Sequence, residues 1–466
     1  MKPANASGGP PPLATAPVGR LIWKFAIPGI ISQVVNAVYN VVDQLFIGQG
    51  VGALALAVPN IALPLSSIVT ALAALVGMGG AACFNLAVGR REIPQAKETL
   101  GTALWMLAAA GLFIGALASV FLRPMLLLFG ATETLMPYAV PYARIVSLGV
   151  PFGVFATGAS YLIRADGAPN ASMSILMSGA IFNLFADPLF LFVFRMGIAG
   201  IALATSLGYV LSAGLALAYL ARRFHTVTLK RSDLRFVPRT GGAICSAGSA
   251  VFLTHVCAIA VQILQNNSFR HYGALSPYGS EIPLAAIGAV SKVNVLLMST
   301  VIGISLGCQP IYGFNYGSRR YHRVKETYLL ALRYATVVSV VSFLCLQLFP
   351  EQIVRLFGAG DALFFRFAAR YVHIYLLLLF AGGLLPVSAT FFSSIGKAGI
   401  GRRLTLIKQL ALLIPLTLLL PLRWGLDGVL AAGPIADGVT LALVLYFARR
   451  EVRELDRLQA EEGVSA

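Results

Sequence analysis

Charge is scarce in this chain. Of its 466 residues only 11% are Asp, Glu, Lys or Arg, whereas 58% are hydrophobic, and the mean hydropathy is +0.81. A water-soluble domain carries about 25% charged residues and alternates polar with apolar positions along its helices, so that class is excluded. Acid is scarcer than base: 18 Asp and Glu against 35 Lys and Arg leave a net charge of +17. Nucleic-acid binding would gather the basic residues on one polar domain, but here they lie in short gaps between apolar runs. Cysteine is also sparse. Cys83, Cys245, Cys257, Cys308 and Cys345 are scattered, odd in number and free of any CxxC pair, which supports neither a disulfide framework nor a zinc site. No Walker A loop and no HExxH occur, so ATP is not the energy source within the chain. Gly77, Gly79 and Ala82 match a dinucleotide fingerprint, and Gly303, Ser305 and Gly307 a nucleophile elbow. Both patterns require a strand running into a helix, whereas these lie in apolar helical runs, where small residues serve close packing.

What the chain does have is long apolar runs. A bilayer core needs about 20 mostly apolar residues per helix at a rise of about 1.5 Å each. Twelve stretches qualify, at approximately 21–47, 54–76, 100–122, 138–162, 171–194, 197–220, 243–270, 283–312, 327–349, 367–393, 404–422 and 425–447. The expected fold is an all-α integral membrane protein with twelve transmembrane helices in two six-helix lobes. Residues 1–20, rich in Pro, Gly, Ala and Ser, lack a continuous apolar core and read as a disordered tail, not a secretory signal. Counting Lys and Arg in alternate gaps, with Lys408 among them, gives 25 on the side of the termini and 8 on the other. That asymmetry places both termini in the cytoplasm.

The two halves repeat each other. Gly89, Arg91, Lys97, Glu98 and Thr99 recur as Gly317, Arg319, Lys325, Glu326 and Thr327, all at a spacing of 228. Phe129, Gly130 and Ala131 map onto Phe357, Gly358 and Ala359 at the same spacing, and Gly197 and Gly200 onto Gly425 and Gly428. Each half has six spans, an even number, so the halves run the same way and are related by an axis along the membrane normal. The expected organisation is a tail over 1–20, a first lobe over 21–220, a cytoplasmic linker over 221–242, a second lobe over 243–448 and a cytoplasmic tail over 449–466.

Ionised groups cost roughly 2.5 to 3.5 kcal/mol at bilayer depth on insertion scales, so an acid inside a span marks function. In the first span Gln33, Asn36, Asn40 and Asp43 share one face, and in the fifth Asn183 and Asp187 are one turn apart. Asp43 lies about 28 Å along from Lys24, and Asp187 about 26 Å from Asn170, so the two acids can meet in the outer half of the first lobe. Two carboxylates in one low-dielectric pocket do not both stay ionised, which makes the pair a proton carrier. The same oxygens, with Asn183 and the Thr205 hydroxyl, equally suit sodium, and the residues do not choose between them. The second half has Ala411 and Pro415 where the repeat puts Asn183 and Asp187. It carries Gln262, Gln265 and Asn266 on its first span, and Lys292 and Asp437 as its charges well inside spans; these two are expected either to pair or to leave Asp437 as a second cation group. Pro28, Pro188, Pro386 and Pro434 permit bends, and Pro28 stands out because its helix carries Asp43.

The run Asn-Ala-Val-Tyr-Asn-Val-Val-Asp-Gln-Leu-Phe-Ile-Gly from Asn36 to Gly48, with Asn-Leu-Phe-Ala-Asp-Pro from Asn183 to Pro188 and Gln-Pro-Ile-Tyr-Gly-Phe-Asn-Tyr-Gly from Gln309 to Gly317, resembles the multidrug and toxic compound extrusion (MATE) family, in its bacterial multidrug-exporter branch. The resemblance implies a V-shaped pair of lobes that exports bulky organic cations against inward H+ or Na+. It implies a first-lobe cation site at Asp43, Asn183, Asp187 and Thr205, with Tyr142 beside it, Asn36 and Asn40 below it, and Pro28 as the hinge. Under Na+ coupling Asp43, Asn183 and Asp187 become metal ligands. Gln33, Tyr39, Gln262, Gln265, Asn266, Lys292 and Asp437 are candidates to line the substrate cavity. The second-lobe acid of some branches is absent, since Gln262, Gln265 and Asn266 stand there. The expected protein is an antiporter of the cell (inner) membrane that acts as a monomer, with no cofactor beyond the coupling ion and no nucleic-acid partner. The alternative is a flippase for a lipid-linked precursor, which needs a strongly cationic cavity. A membrane enzyme lacks its nucleophile and base, and a channel lacks rings of charge.

Overall fold

In lipid every backbone N–H must find its partner within its own segment, and apolar runs of this length do so as helices. The computed structural model describes residues 12–50, 57–129, 135–228, 233–279, 281–355 and 362–465. Nine long helices come first: α1 (Val18–Gly50), α2 (Ala57–Gly89), α3 (Ile93–Val120), α4 (Met136–Ala165), α5 (Pro169–Pro188), α6 (Ile198–Arg222), α7 (Pro238–Ala274), α8 (Glu281–Gly317) and α9 (Tyr321–Leu348). Then follow α10 (Ala362–Tyr375), α11 (Leu384–Ser394), α12 (Ala398–Leu406), α13 (Ile414–Leu419) and α14 (Pro421–Ser465). Ten of these segments are long and apolar enough to cross a membrane, and α10 with α11 makes one more span, bent by 52°. Residues 398–419 form a twelfth helical run, in which a π-helical stretch, Ile407–Leu413, joins α12 to α13.

Several expectations need correction. The tenth span is not one straight helix, because Gly382 and Gly383 weaken it and Pro386 offers no N–H to the carbonyl of Gly382. The second runs to Gly89, beyond the expected end at residue 76, since Gly77–Gly80 is packed and not exposed. Part of the N-terminal tail is ordered: Pro12–Thr15 is helical, Asn315 Nδ2 donates to Leu13 O at 3.2 Å, and Arg323 Nη2 donates to Ala16 O at 2.6 Å. The C-terminal tail continues α14 to Ser465 and docks through buried Leu455 and the Lys325–Asp456 ion pair at 2.7 Å.

The repeat is visible in the backbone. Arg91 and Arg319, 228 apart, both adopt positive φ, 64° and 58°, and Gly197 and Gly425 do so at 59° and 55°. Equivalent turns thus leave equivalent helices in each half.

The halves touch where the linker and termini lie. A Cβ on Gly303 would meet the backbone of Ile30 at 2.6 Å, and one on Gly307 would meet Ala26 N at the same distance. Gly79 lies against Ile244 O, Gly248 against Leu75 O, and Gly89 against Phe314 O in the same backbone-to-backbone way. Gln309 Nε2 donates to Met78 O at 2.9 Å across this seam. One apolar cluster here combines Val18, Leu21, Ile22 and Phe25 with Val301, Ile304 and Phe391 of the other half. At the far end the cluster of Phe269, Val290, Phe367 and Val429 contains second-half residues alone. Among the described residues, the lobes are therefore joined at the linker end.

Candidate functional site

Helix α5 carries two polar side chains one turn apart on a single face, and that face is buried. Asn183 is 2% exposed and Asp187 1%. Helix α6 packs along α5 because Gly179 and Gly208 let the backbones approach, a Cβ on Gly208 lying 2.9 Å from Gly179 O. That approach brings Thr205 of α6 to Asn183. The Asn183 amide is satisfied with its nitrogen donating to Asp187 Oδ2 at 2.9 Å and its oxygen accepting from the Thr205 backbone N–H at 3.1 Å and the Thr205 hydroxyl at 3.2 Å. A carboxylate, a carboxamide and a hydroxyl thus form one buried chain inside the first lobe.

The local fold explains why the acid sits there. Pro188 follows Asp187 directly and has no N–H to give, and its ring crowds the carbonyl of Leu184. The helix answers with a wider turn, the π-helical stretch Leu189–Val193. Tyr142 of α4 is buried in the same core cluster as Ile198, Ile201 and Ala202, the first turns of α6 before Thr205.

Helix α1, which carries Asp43, packs against α5. The side chains of Asn36, Tyr39, Asn40 and Asp43 lie outside the described residues. Gln33 is half-buried, and the hydroxyl of Ser32 donates to Pro28 O at 2.8 Å. Helix α1 is continuous through Pro28, and Pro28 stands beside Gly29, whose Cβ would touch Gly303 O at 3.0 Å. The proline therefore stands at the inter-lobe seam, on a helix that also packs against first-lobe α5.

In the second lobe the structure gives Asp437 a partner that the sequence did not suggest. Its Oδ1 lies 2.7 Å from Lys408 Nζ. Lys408 belongs to the π-helical stretch between α12 and α13 and not to a loop, since the span begins upstream of residue 404. Lys292 has its side chain outside the described residues. Gln262 and Asn266 are exposed, and Gln265 Nε2 donates to Tyr375 Oη at 2.7 Å. Tyr375 stacks on Tyr371 with ring centroids 4.8 Å apart. Sequence reasoning missed Tyr375 and Lys408; the available signal was a lysine four residues inside an apolar run.

A repeat of six spans per lobe, lobes meeting along small residues, and a buried acid–amide–hydroxyl chain within one lobe define a two-lobed membrane transporter and not an enzyme. The MatE family model matches this chain twice, over residues 28–189 and again over 258–419, and the chain belongs to that family of transporters. A protein named FAD transporter from Shewanella oneidensis is 24% identical over 447 residues, covering 94% of this chain and 96% of its own length. The multidrug export protein MepA of Staphylococcus aureus is 22% identical over 454 residues, with coverage of 96% and 98%. Among solved structures, the MATE multidrug transporter DinF-BH is 31% identical, with a TM-score of 0.85 over 94% of this chain and 96% of that one.

Proposed function

We propose that this protein is a secondary active exporter that moves amphipathic organic cations out across the bacterial inner membrane in exchange for H+ or Na+. The observation that carries the reading is the buried Asp187 carboxylate, on a helix packed against the one that bears Asp43 and hydrogen-bonded through Asn183 to Thr205. A carboxylate kept at 1% exposure inside a span is expensive unless it binds a proton or a cation. Asp187 and Asp43 hold the coupling ion, Asn183 and Thr205 position it, and Tyr142 closes the pocket. Uptake of the ion removes the negative charge that an organic cation needs, and the cation leaves.

Closure at the linker end supports an outward-facing state, with the linker and both termini on the cytoplasmic side. Pro28 is where α1 can bend, because Lys24 O has no proline N–H to accept and the Ser32 hydroxyl already engages Pro28 O. For transport the coupling ion must bind the two lobe arrangements with different affinity. The flippase alternative fares worse, since Lys408 is neutralised by Asp437.

The test is ethidium efflux from proteoliposomes under an imposed pH gradient and then under an imposed sodium gradient, with FAD as the anionic cargo control. Efflux under one gradient, lost in Asp187→Asn, supports the reading. Equal efflux in wild type and variant would refute it.

A further inference from the structure

The second lobe holds a charged pair that the ion-coupled mechanism does not use. Lys408 and Asp437 meet at 2.7 Å, yet their side chains remain 26% and 36% exposed. That exposure is not toward lipid. On α14 the exposed apolar residues Ile435 and Val439 mark the outer face, and Asp437 lies about 160° around the helix from each at 100° per residue. The π-helical stretch delivers Lys408 to it from the neighbouring span.

The surroundings of the pair have the character of a ligand site. Gly433, one turn before Asp437, is bare enough for the Tyr375 ring to rest on the backbone, where a Cβ would come within 2.7 Å of it. Tyr375 stacks on Tyr371 at an interplanar angle of 13°, and its hydroxyl is held by Gln265. An ammonium, an aromatic wall and the Gln265 carboxamide therefore lie on one side of the lobe.

We propose that Lys408 is a second-lobe subsite for a carboxylate or phosphate carried on an aromatic substrate, with Asp437 as the tethered group that occupies the ammonium until substrate displaces it. The exchange is physically cheap: Lys408 is already partly stripped of water, and one anion replaces another at the same ammonium. The pair is neutral as a whole, so it does not repel the cationic cargo of the first-lobe mechanism. This subsite gives the anionic end of a zwitterionic aromatic a place in the second lobe, and it rests on the transport reading only for its role in export.

Two dyes that share one ring system separate the subsite from that reading. Rhodamine B bears a free carboxylate, and its ethyl ester does not. Binding of each to the detergent-solubilised full chain is measured by fluorescence anisotropy, which requires no ion gradient. Lys408→Gln should weaken rhodamine B about tenfold, some 1.4 kcal/mol, and leave the ester within twofold. Lys408→Arg should retain both. Asp437→Asn should tighten rhodamine B, because the competing carboxylate is gone. If Lys408→Gln and Asp437→Asn weaken both dyes alike, the pair is structural and the proposal falls. It falls equally if neither Lys408→Gln nor Asp437→Asn alters rhodamine B, or if wild type binds neither dye. If wild type shows the dye discrimination but no efflux under either gradient, ion coupling is overturned and the subsite is spared.

Discussion

At the scale of single residues, the argument rests on what a buried carboxylate needs. Asp187 is surrounded by protein and reaches Thr205 through the Asn183 amide. Asp187→Asn keeps the shape and removes the charge, so gradient-driven efflux of ethidium should fall to background, and ethidium binding in detergent should weaken because the charge that an organic cation needs is gone. Thr205→Val removes one hydrogen bond, worth roughly 0.5 to 1.5 kcal/mol, and should raise the ion concentration for half-maximal efflux several-fold. A different acid has a structural task. Asp166, at the linker end, accepts from Tyr219 Oη at 2.9 Å, from His225 N at 2.9 Å and from Thr226 N at 2.7 Å. It ties the linker to the first lobe, and Asp166→Ala leaves two backbone N–H groups without that acceptor. A loss of roughly 2 to 3 kcal/mol is expected, read as a fall of several degrees in Tm in detergent, with dye binding preserved below that temperature. The one-turn spacing of Asn183 and Asp187 was legible as a shared face. Thr205 stands on another helix, so the sequence offered its hydroxyl as a further ligand without fixing its place, and the packing of α6 on α5 set it beside Asn183.

At the scale of elements, proline and glycine decide where helices bend and where they touch. Helix α1 is unbroken at Pro28, yet its backbone there is one hydrogen bond short. Pro28→Ala restores that bond and stiffens α1; turnover should drop about tenfold with dye affinity unchanged, as measured by efflux rate and anisotropy on one preparation. Glycines do the opposite task by removing side chains from a seam. In Gly79→Val the new Cβ would collide with Ile244 O, a backbone atom that cannot step aside. That variant should therefore disfavour closure at the linker end. Spin labels at Glu92 and His322, exposed residues of the two lobes at this end, with the natural cysteines replaced by serine, should report a longer mean separation than in the parent. An unchanged distance would show that the seam closes without the glycine contact. The π-helical stretches Leu189–Val193 and Ile407–Leu413 were not legible, because one extra residue in a turn leaves the apolar pattern almost unaltered.

At the scale of the whole molecule, the two lobes share a plan and differ in chemistry. Matching turns at Arg91 and Arg319 and at Gly197 and Gly425 show a common backbone design. Yet the first lobe buries Asp187 with an amide and a hydroxyl, whereas the second sets Asp437 against Lys408. A buried acid–amide–hydroxyl chain and a paired charge are thus divided between the halves. By itself the sequence determined the solvent, the number of spans, the repeat and the acids within spans. Hydropathy, period and self-similarity are local properties, and lipid penalises any other arrangement. Only the tertiary structure decided that Asp437 meets Lys408, that Gln265 meets Tyr375, and that the lobes close at the linker end. Each of those contacts joins residues far apart in the chain, and which of them form depends on how closely small side chains allow helices to approach.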